Sequence, residues 1–261
     1  MNLSLHQKHA LVGGASAGIG RAVAIELAAL GAHVTLVART ASTLEAALAE
    51  LDTTQGQQHG YLVADFDDSQ ILLAKVLELL RRQPIHILVN NTGGPPGGPI
   101  TEAMPESFLR AFHNHLVCNQ LLAQALLPGM QSAGYGRIIN IISTSVKEPI
   151  DQLGVSNTTR WAVAAWAKTW ANEVGRFGIT VNNVLPGYTT TSRLQEIIEK
   201  RAASTRTTAG EVETLLKNTV PLRRFAEPAE IAAAVAFLAS PAAGYVNGIN
   251  LPVDGGRTRS L

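Results

Sequence analysis

The segment that decides the fold is His9-Ala10-Leu11-Val12-Gly13-Gly14-Ala15-Ser16-Ala17-Gly18-Ile19-Gly20, which runs directly into the amphipathic stretch Arg21–Leu30. Its apolar start predicts a buried strand, and the amphipathic stretch predicts a helix. Glycines at 14, 18 and 20 allow a tight turn that a diphosphate can approach closely, while the helix N-terminus supplies unpaired amides and a positive dipole. The segment therefore predicts a dinucleotide-binding turn with an ordinary strand-to-helix turn as the alternative. The candidate contacts in this turn are Gly14, Ser16, Gly18, Ile19 and Gly20.

The alternation of strand and helix continues along the whole chain. Short β-branched runs predict strands at His9–Val12, His33–Val37, Tyr61–Val63, Ile85–Val89, Ile138–Ile142, Thr180–Leu185 and Ile249–Val253. Stretches of helical periodicity lie at Ile19–Leu30, Leu44–Leu51, Gln70–Arg82, Phe108–Met130, Trp161–Arg176 and Ala229–Ala239. We therefore predict an α/β, doubly wound Rossmann-type fold, with about seven parallel strands and helices on both faces. Since no long polar linker divides the chain, residues 1–261 are expected to form a single domain.

Two segments interrupt this pattern. The glycine- and proline-rich segment Gly93–Pro99 follows a predicted strand and cannot continue a strand or a helix, so we predict a loop at the carboxyl edge of the sheet. Residues 187–224 form an insertion with weak helical periodicity and seven Lys or Arg against four Asp or Glu. A connection of this length is typical of a lid or binding loop. Its basic balance favours an anionic or thioester-linked substrate.

The composition restricts the classes of function. Of the 261 residues 46% are hydrophobic and 16% are charged, and the net charge is +1. Without a basic excess or a run of about 18 apolar residues, neither a nucleic-acid partner nor a membrane partner is expected. The single cysteine cannot form an internal disulfide, and the N-terminus lacks the apolar stretch of a secretory signal, so we expect a cytoplasmic protein. The low charged fraction favours a homodimer or homotetramer.

The residue after the second strand indicates which dinucleotide is bound. A chain that selects NAD usually has a carboxylate there, which accepts hydrogen bonds from ribose hydroxyls, whereas this chain has Arg39. A guanidinium favours the 2′-phosphate of NADP(H) over NAD(H), with an ordinary surface arginine as the alternative. Asp65, at the end of the third strand, is a candidate acceptor for the adenine amino group, or else a cap for the helix that begins near Ser69.

Four motifs, in order and at matching spacing, resemble the short-chain dehydrogenase/reductase family, and most of all its 3-oxoacyl-(acyl-carrier-protein) reductase branch. Gly14-x-x-x-Gly18-x-Gly20 matches the family's cofactor motif, and Asn90-Asn91-Thr92-Gly93 is similar to its Asn-Asn-Ala-Gly. Pro186-Gly187 followed by Thr191 resembles the loop at the nicotinamide, and Val253-Asp254-Gly255-Gly256 resembles the closing segment. The resemblance implies further cofactor contacts from Asn91, Gly93, Arg160, Pro186, Gly187 and Thr191.

The match fails at the catalytic residues. In the family a Tyr donates the proton, a Lys four residues later lowers its pKa and holds the ribose, a Ser steadies the oxygen, and an Asn completes a water relay. Ser143 stands at the Ser position, but Ser156 replaces the Tyr, Arg160 the Lys and His115 the Asn. Gly13 also stands where the cofactor motif usually has Thr. Cofactor binding is thus better supported by the sequence than turnover.

The missing acid has several candidate replacements. A serine hydroxyl is a far weaker acid than a phenol, so Ser156 can hold a carbonyl but cannot protonate it efficiently. Tyr188 lies in the loop after Gly187, Lys147 lies four residues after Ser143, and His115 is expected to titrate near neutrality and relay protons. The structural alternatives are packing under the lid for Tyr188, an exposed position for Lys147, and helix packing for His115.

We expect from these features an NADP(H)-binding oxidoreductase acting on a carbonyl/alcohol pair, with a 3-oxoacyl thioester as a candidate substrate. Ser143 is placed at the substrate and Arg160 on the cofactor. The alternative is a dinucleotide-binding sensor or scaffold protein that has lost catalysis. An acyl hydrolase using Ser143 or Ser156 lacks a nucleophile elbow. Trp161, Trp166 and Trp170 are interpreted as packing residues at an oligomer interface, and the histidine spacing predicts no metal site.

Overall fold

A seven-stranded sheet forms the centre of the computed structural model, which describes residues 1–260. The strands are β1 (His9–Gly13), β2 (His33–Ala38), β3 (Gly60–Val63), β4 (Ile87–Asn90), β5 (Gly136–Ile141), β6 (Ile179–Pro186) and β7 (Asn250–Val253). Their order across the sheet is β3-β2-β1-β4-β5-β6-β7, and every neighbouring pair is parallel. The predicted doubly wound parallel sheet is confirmed.

Helices cover both faces of this sheet. They are α1 (Gly18–Ala29), α2 (Ala41–Leu48), α3 (Ser69–Leu80), α4 (Pro105–Phe112), α5 (Cys118–Ala133), α6 (Gly154–Val174), α7 (Ser192–Thr205), α8 (Ala209–Asn218) and α9 (Pro228–Ala239). One apolar cluster joins α1, α2 and α9 to the sheet, and a second joins α3, α5 and α6 to the opposite face. Alternate residues of β1 enter the two clusters, Val12 the first and Leu11 the second. In the described chain, none of the helices combines the length and apolarity needed to cross a bilayer.

The structure divides the stretch that the sequence predicts as one helix, Phe108–Met130. A π-helical turn, His113–Val117, separates α4 from α5. Such turns insert one extra residue into a helix and change the direction of the side chains around it. Here the turn contains His115, which is buried. Hydrophobic periodicity does not reveal this irregularity because the apolar stripe resumes after the inserted residue.

The insertion at residues 187–224 is more regular than its weak periodicity suggests, since it contains α7 and α8. Thr191 caps α7 by accepting a hydrogen bond from the amide of Leu194, and Thr208 forms a capping box with Glu211 on α8. Each helix buries only a few apolar residues, and the two helices share one small apolar cluster that is separate from the clusters against the sheet. A short apolar stripe of this kind gives little periodic signal.

A ladder of asparagines crosses the four strands on one side of the sheet. Asn90, Asn140, Asn183 and Asn250 are register partners on β4 to β7, and each Nδ2 donates to the next Oδ1 at 2.8 Å. A slip of one residue would turn these side chains to the other face and break the whole ladder. The ladder therefore fixes the relative positions of strands that end at the candidate site.

Candidate functional site

The turn between β1 and α1 has the conformation that its glycines allow. Gly14 and Gly18 have φ angles of +56° and +55°, which favour glycine. A Cβ on Gly20 would lie 2.3 Å from the carbonyl oxygen of Gly14, so a side chain there cannot fit. The Nδ2 of Asn91 donates to the carbonyl of Gly13 at 3.1 Å and holds the turn against the end of β4.

The first turn of α1 remains uncapped by protein. Its N-cap residue is Ala17, which has no side chain able to accept from the first amides, and no cap hydrogen bond is made. Among the described α-helices, α3, α7 and α8 begin with a side-chain cap, whereas α2, α4 and α6 lack one as α1 does, so it is the glycine turn before α1 that distinguishes its start. Unpaired amides at the positive end of a helix dipole form an anion site. The residues present therefore fit the diphosphate of a dinucleotide, with Ser16 and Ile19 flanking the glycines.

The insertion at residues 187–224 contacts this turn near its start. A Cβ on Gly18 would lie 3.2 Å from Cγ2 of Thr191, the residue that caps α7. The amide of Gly187 donates to the carbonyl of Val253 at 3.0 Å, so Pro186-Gly187 is attached to the end of β7. The structure thus brings Gly18 and Thr191, which are far apart in the sequence, to one edge of the sheet.

Charged residues surround the predicted adenine end. Arg39 follows β2 and is exposed, as is Asp65 after β3. Asp67 forms a two-bond ion pair with Arg110 on α4 and also accepts from Nδ2 of Asn114. These hydrogen bonds lower the pKa of the Asp67 carboxyl to about 2, and the charge of Arg39 adds a smaller contribution. The alternative of Asp65 as the α3 cap is wrong, because Asp68 accepts from the third residue of that helix. Asp65 instead accepts from the amide of Asp67.

His115 is held neutral inside the protein. Its side chain is only 3% exposed, and its pKa falls from 6.5 to about 2 because of burial and, secondarily, the positive charge of Arg160. A hydrogen bond with the backbone of Gly93 opposes this shift. The sequence-based expectation that His115 titrates near neutrality is therefore wrong, since desolvation disfavours the imidazolium.

Arg160 is a buried cation without an acidic partner. It is 9% exposed, its Nη1 donates to the carbonyl of Ile141 at 3.0 Å, and its Nε has no hydrogen-bond partner. Burial lowers its pKa from 12.5 to about 10, so the guanidinium is still charged at neutral pH. Its Nη2 lies beneath the loop that follows β4, 3.7 Å from where a Cβ on Gly94 would stand. Within residues 1–260 no carboxylate forms a salt bridge with it.

Two candidate hydroxyls lie close in the chain to Arg160 or to its acceptor Ile141. Ser143 follows β5 two residues after Ile141, and its Oγ accepts from the amide of Ser145 at 3.0 Å. Ser156 lies in the first turn of α6, four residues before Arg160 and therefore on the same helix face. Both serines are half-buried. This arrangement can hold a carbonyl oxygen and supply positive charge, but it contains no phenol.

Tyr188 and Lys147 occupy the two loops beside the site. The Tyr188 ring packs edge-on against Phe225, 5.9 Å between centroids, and the guanidinium of Arg257 lies 4.8 Å over it. This packing agrees with the structural alternative given for Tyr188. Lys147 is half-buried rather than fully exposed, and its amide donates to the carbonyl of Thr144.

Two arginines that the sequence analysis did not select form hydrogen bonds between segments around the site. Nη2 of Arg193 on α7 donates to the carbonyl of Pro95 at 2.8 Å and joins the insertion to the glycine- and proline-rich loop. Nη1 of Arg257 donates to Oγ1 of Thr144 at 3.3 Å, next to Ser143. The only sequence signal for Arg193 is the basic composition of the lid, and Arg257 has none.

Two of the three tryptophans that we predicted at an oligomer interface pack inside the protein. Trp166 and Trp170, 5.9 Å apart on α6, both donate from Nε1 to Oε1 of Gln120 on α5 and pack against the second apolar cluster. Only Trp161, at 50% exposure, presents a large apolar surface to solvent. Within residues 1–260 no group of three or more His, Cys, Asp or Glu side chains is placed to hold a metal ion.

Known proteins resemble the chain over nearly its full length. The family model described as enoyl-(acyl carrier protein) reductase matches residues 14–258. A 3-oxoacyl-(acyl-carrier-protein) reductase of Pseudomonas aeruginosa is 35% identical over 97% of this chain and 98% of its own. The crystal structure of L-sorbose reductase from Gluconobacter frateurii with NADPH and L-sorbose has a TM-score of 0.92 and 31% identity, covering both chains fully. An actinorhodin polyketide ketoreductase variant with NADPH has a TM-score of 0.90 and 30% identity over 97% of each chain.

Proposed function

Because this chain belongs to the short-chain dehydrogenase/reductase family, we propose that it binds NADP(H) and transfers hydride between the cofactor and a carbonyl/alcohol pair. The observation that carries the proposal is the uncapped start of α1 behind the glycine turn, with Thr191 of the lid against Gly18. These groups suit a diphosphate between sheet and lid. Two structural relatives that span this fold hold NADPH.

Selection of NADP(H) is assigned to Arg39. Its guanidinium is exposed at the end of β2, and neither carboxylate nearby neutralises it by a salt bridge, since Asp67 is already paired with Arg110. A 2′-phosphate would accept charge-assisted hydrogen bonds from it. Asp65 would accept from the adenine amino group, and Asn91 and Gly93 would line the nicotinamide end.

The chemistry divides between the cofactor and this chain's own residues. When bound, NADPH supplies the hydride. Ser143 and Ser156 would orient the carbonyl oxygen, and the fixed charge of Arg160 would stabilise negative charge that develops there. Because the phenol is replaced by Ser156, the final proton would come from water, at a cost on the order of 10²–10⁴ in rate. A 3-oxoacyl thioester is a candidate substrate, since a reductase of such thioesters is among the relatives.

A second candidate function is supported by the same replacements. A protein that binds NADP(H) without turnover, as a sensor or scaffold, needs the glycine turn and Arg39 but no acid. Ser156, Arg160 and the neutral His115 are consistent with it. The two functions differ in whether bound NADPH is consumed.

One experiment tests both functions. NADPH fluorescence is titrated with the purified protein, and absorbance at 340 nm is then followed with β-keto thioesters, oxo acids, diketones and ketoses. Binding followed by substrate-dependent loss of absorbance supports the oxidoreductase, and binding without loss across the panel supports the sensor. Absence of NADPH binding at millimolar concentration would refute both.

We further propose a homodimer or homotetramer in the cytoplasm. The support for an oligomer is three exposed apolar side chains on elements that contact one another: Leu109 on α4, Val117 in the π-helical turn and Trp161 on α6. Exposed apolar residues gathered on one surface are typical of protein interfaces. Light scattering after size exclusion would give a dimer or larger, and a monomer at micromolar concentration would contradict the proposal.

A further inference from the structure

One edge of the Arg160 guanidinium has two parallel donors without an acceptor among residues 1–260. Nη1 is occupied by the carbonyl of Ile141, whereas Nε is buried without a partner and Nη2 makes no hydrogen bond to residues 1–260. Nε and Nη2 donate in parallel along the same side of the planar group. The side chain is therefore fixed by one contact while its two-donor edge remains unsatisfied.

The same edge holds carboxylates elsewhere in this molecule. Arg21 donates through Nε and Nη2 to the two carboxylate oxygens of Glu50, and Arg110 does so to Asp67. Both pairs are at least partly exposed. Arg160 presents the identical pair of donors in a buried position but has no acid opposite.

The surroundings of Arg160 favour an anion over a neutral acceptor. His115, whose pKa the charge of Arg160 lowers, is kept neutral, so it adds neither a counter-charge nor a competing cation. Burial without a counter-ion is unfavourable for a guanidinium, and pairing with an anion relieves that cost. Above Nη2 lies Gly94, which is exposed and has no side chain to obstruct approach. A ribose diol could fill the two-donor edge but would leave the charge unbalanced.

We propose that the Nε–Nη2 edge of Arg160 binds a carboxylate of the substrate, which makes the substrate an oxo acid, or the corresponding hydroxy acid, rather than a neutral thioester. The inference rests on the proposed function and specifies its substrate class. Ser143 and Ser156 would then hold the carbonyl beside a carboxylate fixed on Arg160. The basic lid, with seven Lys or Arg against four Asp or Glu, suits an anion entering the cleft.

The test uses acetate and its uncharged analogue acetamide on the full-length protein saturated with NADP+. Calorimetry is expected to detect acetate binding, with acetamide at least about tenfold weaker. Arg160→Met should weaken acetate by about tenfold or more, and Arg160→Lys, which keeps the charge without the two-donor edge, should give a smaller loss. Arg176→Met, at an exposed arginine after α6, is the control and should leave acetate binding unchanged.

Several results would overturn the inference. Equal binding of acetate and acetamide by the wild type would do so, as would unchanged acetate affinity in Arg160→Met. A tenfold loss of NADPH affinity in Arg160→Met with acetate unaffected would assign the edge to the ribose diol. If Arg160→Met does not fold, the acetamide comparison and Arg160→Lys decide. NADPH binding by the wild type is measured first, and its failure would refute the proposed function separately.

Discussion

Replacement of His115 by asparagine is expected to make the folded protein more resistant to acid. The unfolded chain takes up a proton at this histidine below pH 6.5, whereas the folded protein does so only near pH 2. The free energy of unfolding therefore falls as the pH drops from 6.5 towards 2. At pH 4.5 the difference is two pH units, or about 2.7 kcal/mol. This corresponds to roughly 5 to 10 °C in Tm for a chain of this size.

The assay is urea unfolding of wild type and His115→Asn at intervals from pH 7.5 to 4.5. The quantity of interest is the difference in unfolding free energy between the two proteins as a function of pH. Other acid-sensitive groups, such as His86, are present in both and cancel. His6→Asn, at an exposed histidine, is the matched control and should show no such trend. A difference that stays constant within about 0.5 kcal/mol over this range would refute the buried neutral imidazole.

Three further predictions follow from single contacts. Arg39→Glu should weaken NADPH binding by about tenfold to 100-fold through loss of charge-assisted bonds, with NADH affected less, as measured by fluorescence titration. Gly14→Ala should lower the free energy of unfolding by about 1–3 kcal/mol and reduce NADPH affinity, because φ is +56° and the new Cβ would lie 2.7 Å from Nδ2 of Asn91. Thermal melts measure the stability loss, and Gly60→Ala is the control because a Cβ there would have no atom within 4 Å. Burial lowers the pKa of His86 from 6.5 to about 4, so the free energy of unfolding falls as the pH drops through that interval. The loss is at most about 3 kcal/mol, because solvent that reaches the ring reduces it. His86→Gln, which can still accept from the amide of His9, should remove that loss, and an unchanged pH profile would contradict the assignment.

The local features of the fold were predictable because they depend on neighbours in the chain. The seven strands are where the β-branched runs indicate, with ends that differ by one or two residues. Periodicity also gave α1, α3 and α9 closely. Periodicity did not predict the π-helical turn at His115 or the helices α7 and α8, because an inserted residue or a short apolar stripe barely changes the hydrophobic pattern.

The sequence predicts which residues are candidates for the site, but it does not determine their charge states. Motif positions alone identify four candidate site residues, which are Gly14, Ser143, Ser156 and Arg160. The sequence also suggests a titrating His115, which burial contradicts. Whether a histidine is charged depends on the atoms packed around it, and those come from segments remote in the chain.

The sequence predicts a parallel sheet whose strands alternate with helices and a glycine turn at the end of the first strand, and it has Ser156 and Arg160 where the resemblance implies Tyr and Lys. These are properties of residue type and spacing. The fold is needed to show that Arg160 is buried and donates, among residues 1–260, to the carbonyl of Ile141, that His115 stays neutral, and that Thr191 lies against Gly18. The reason is physical: desolvation and the pairing of charges depend on distances in space, which the spacing of residues along the chain does not contain.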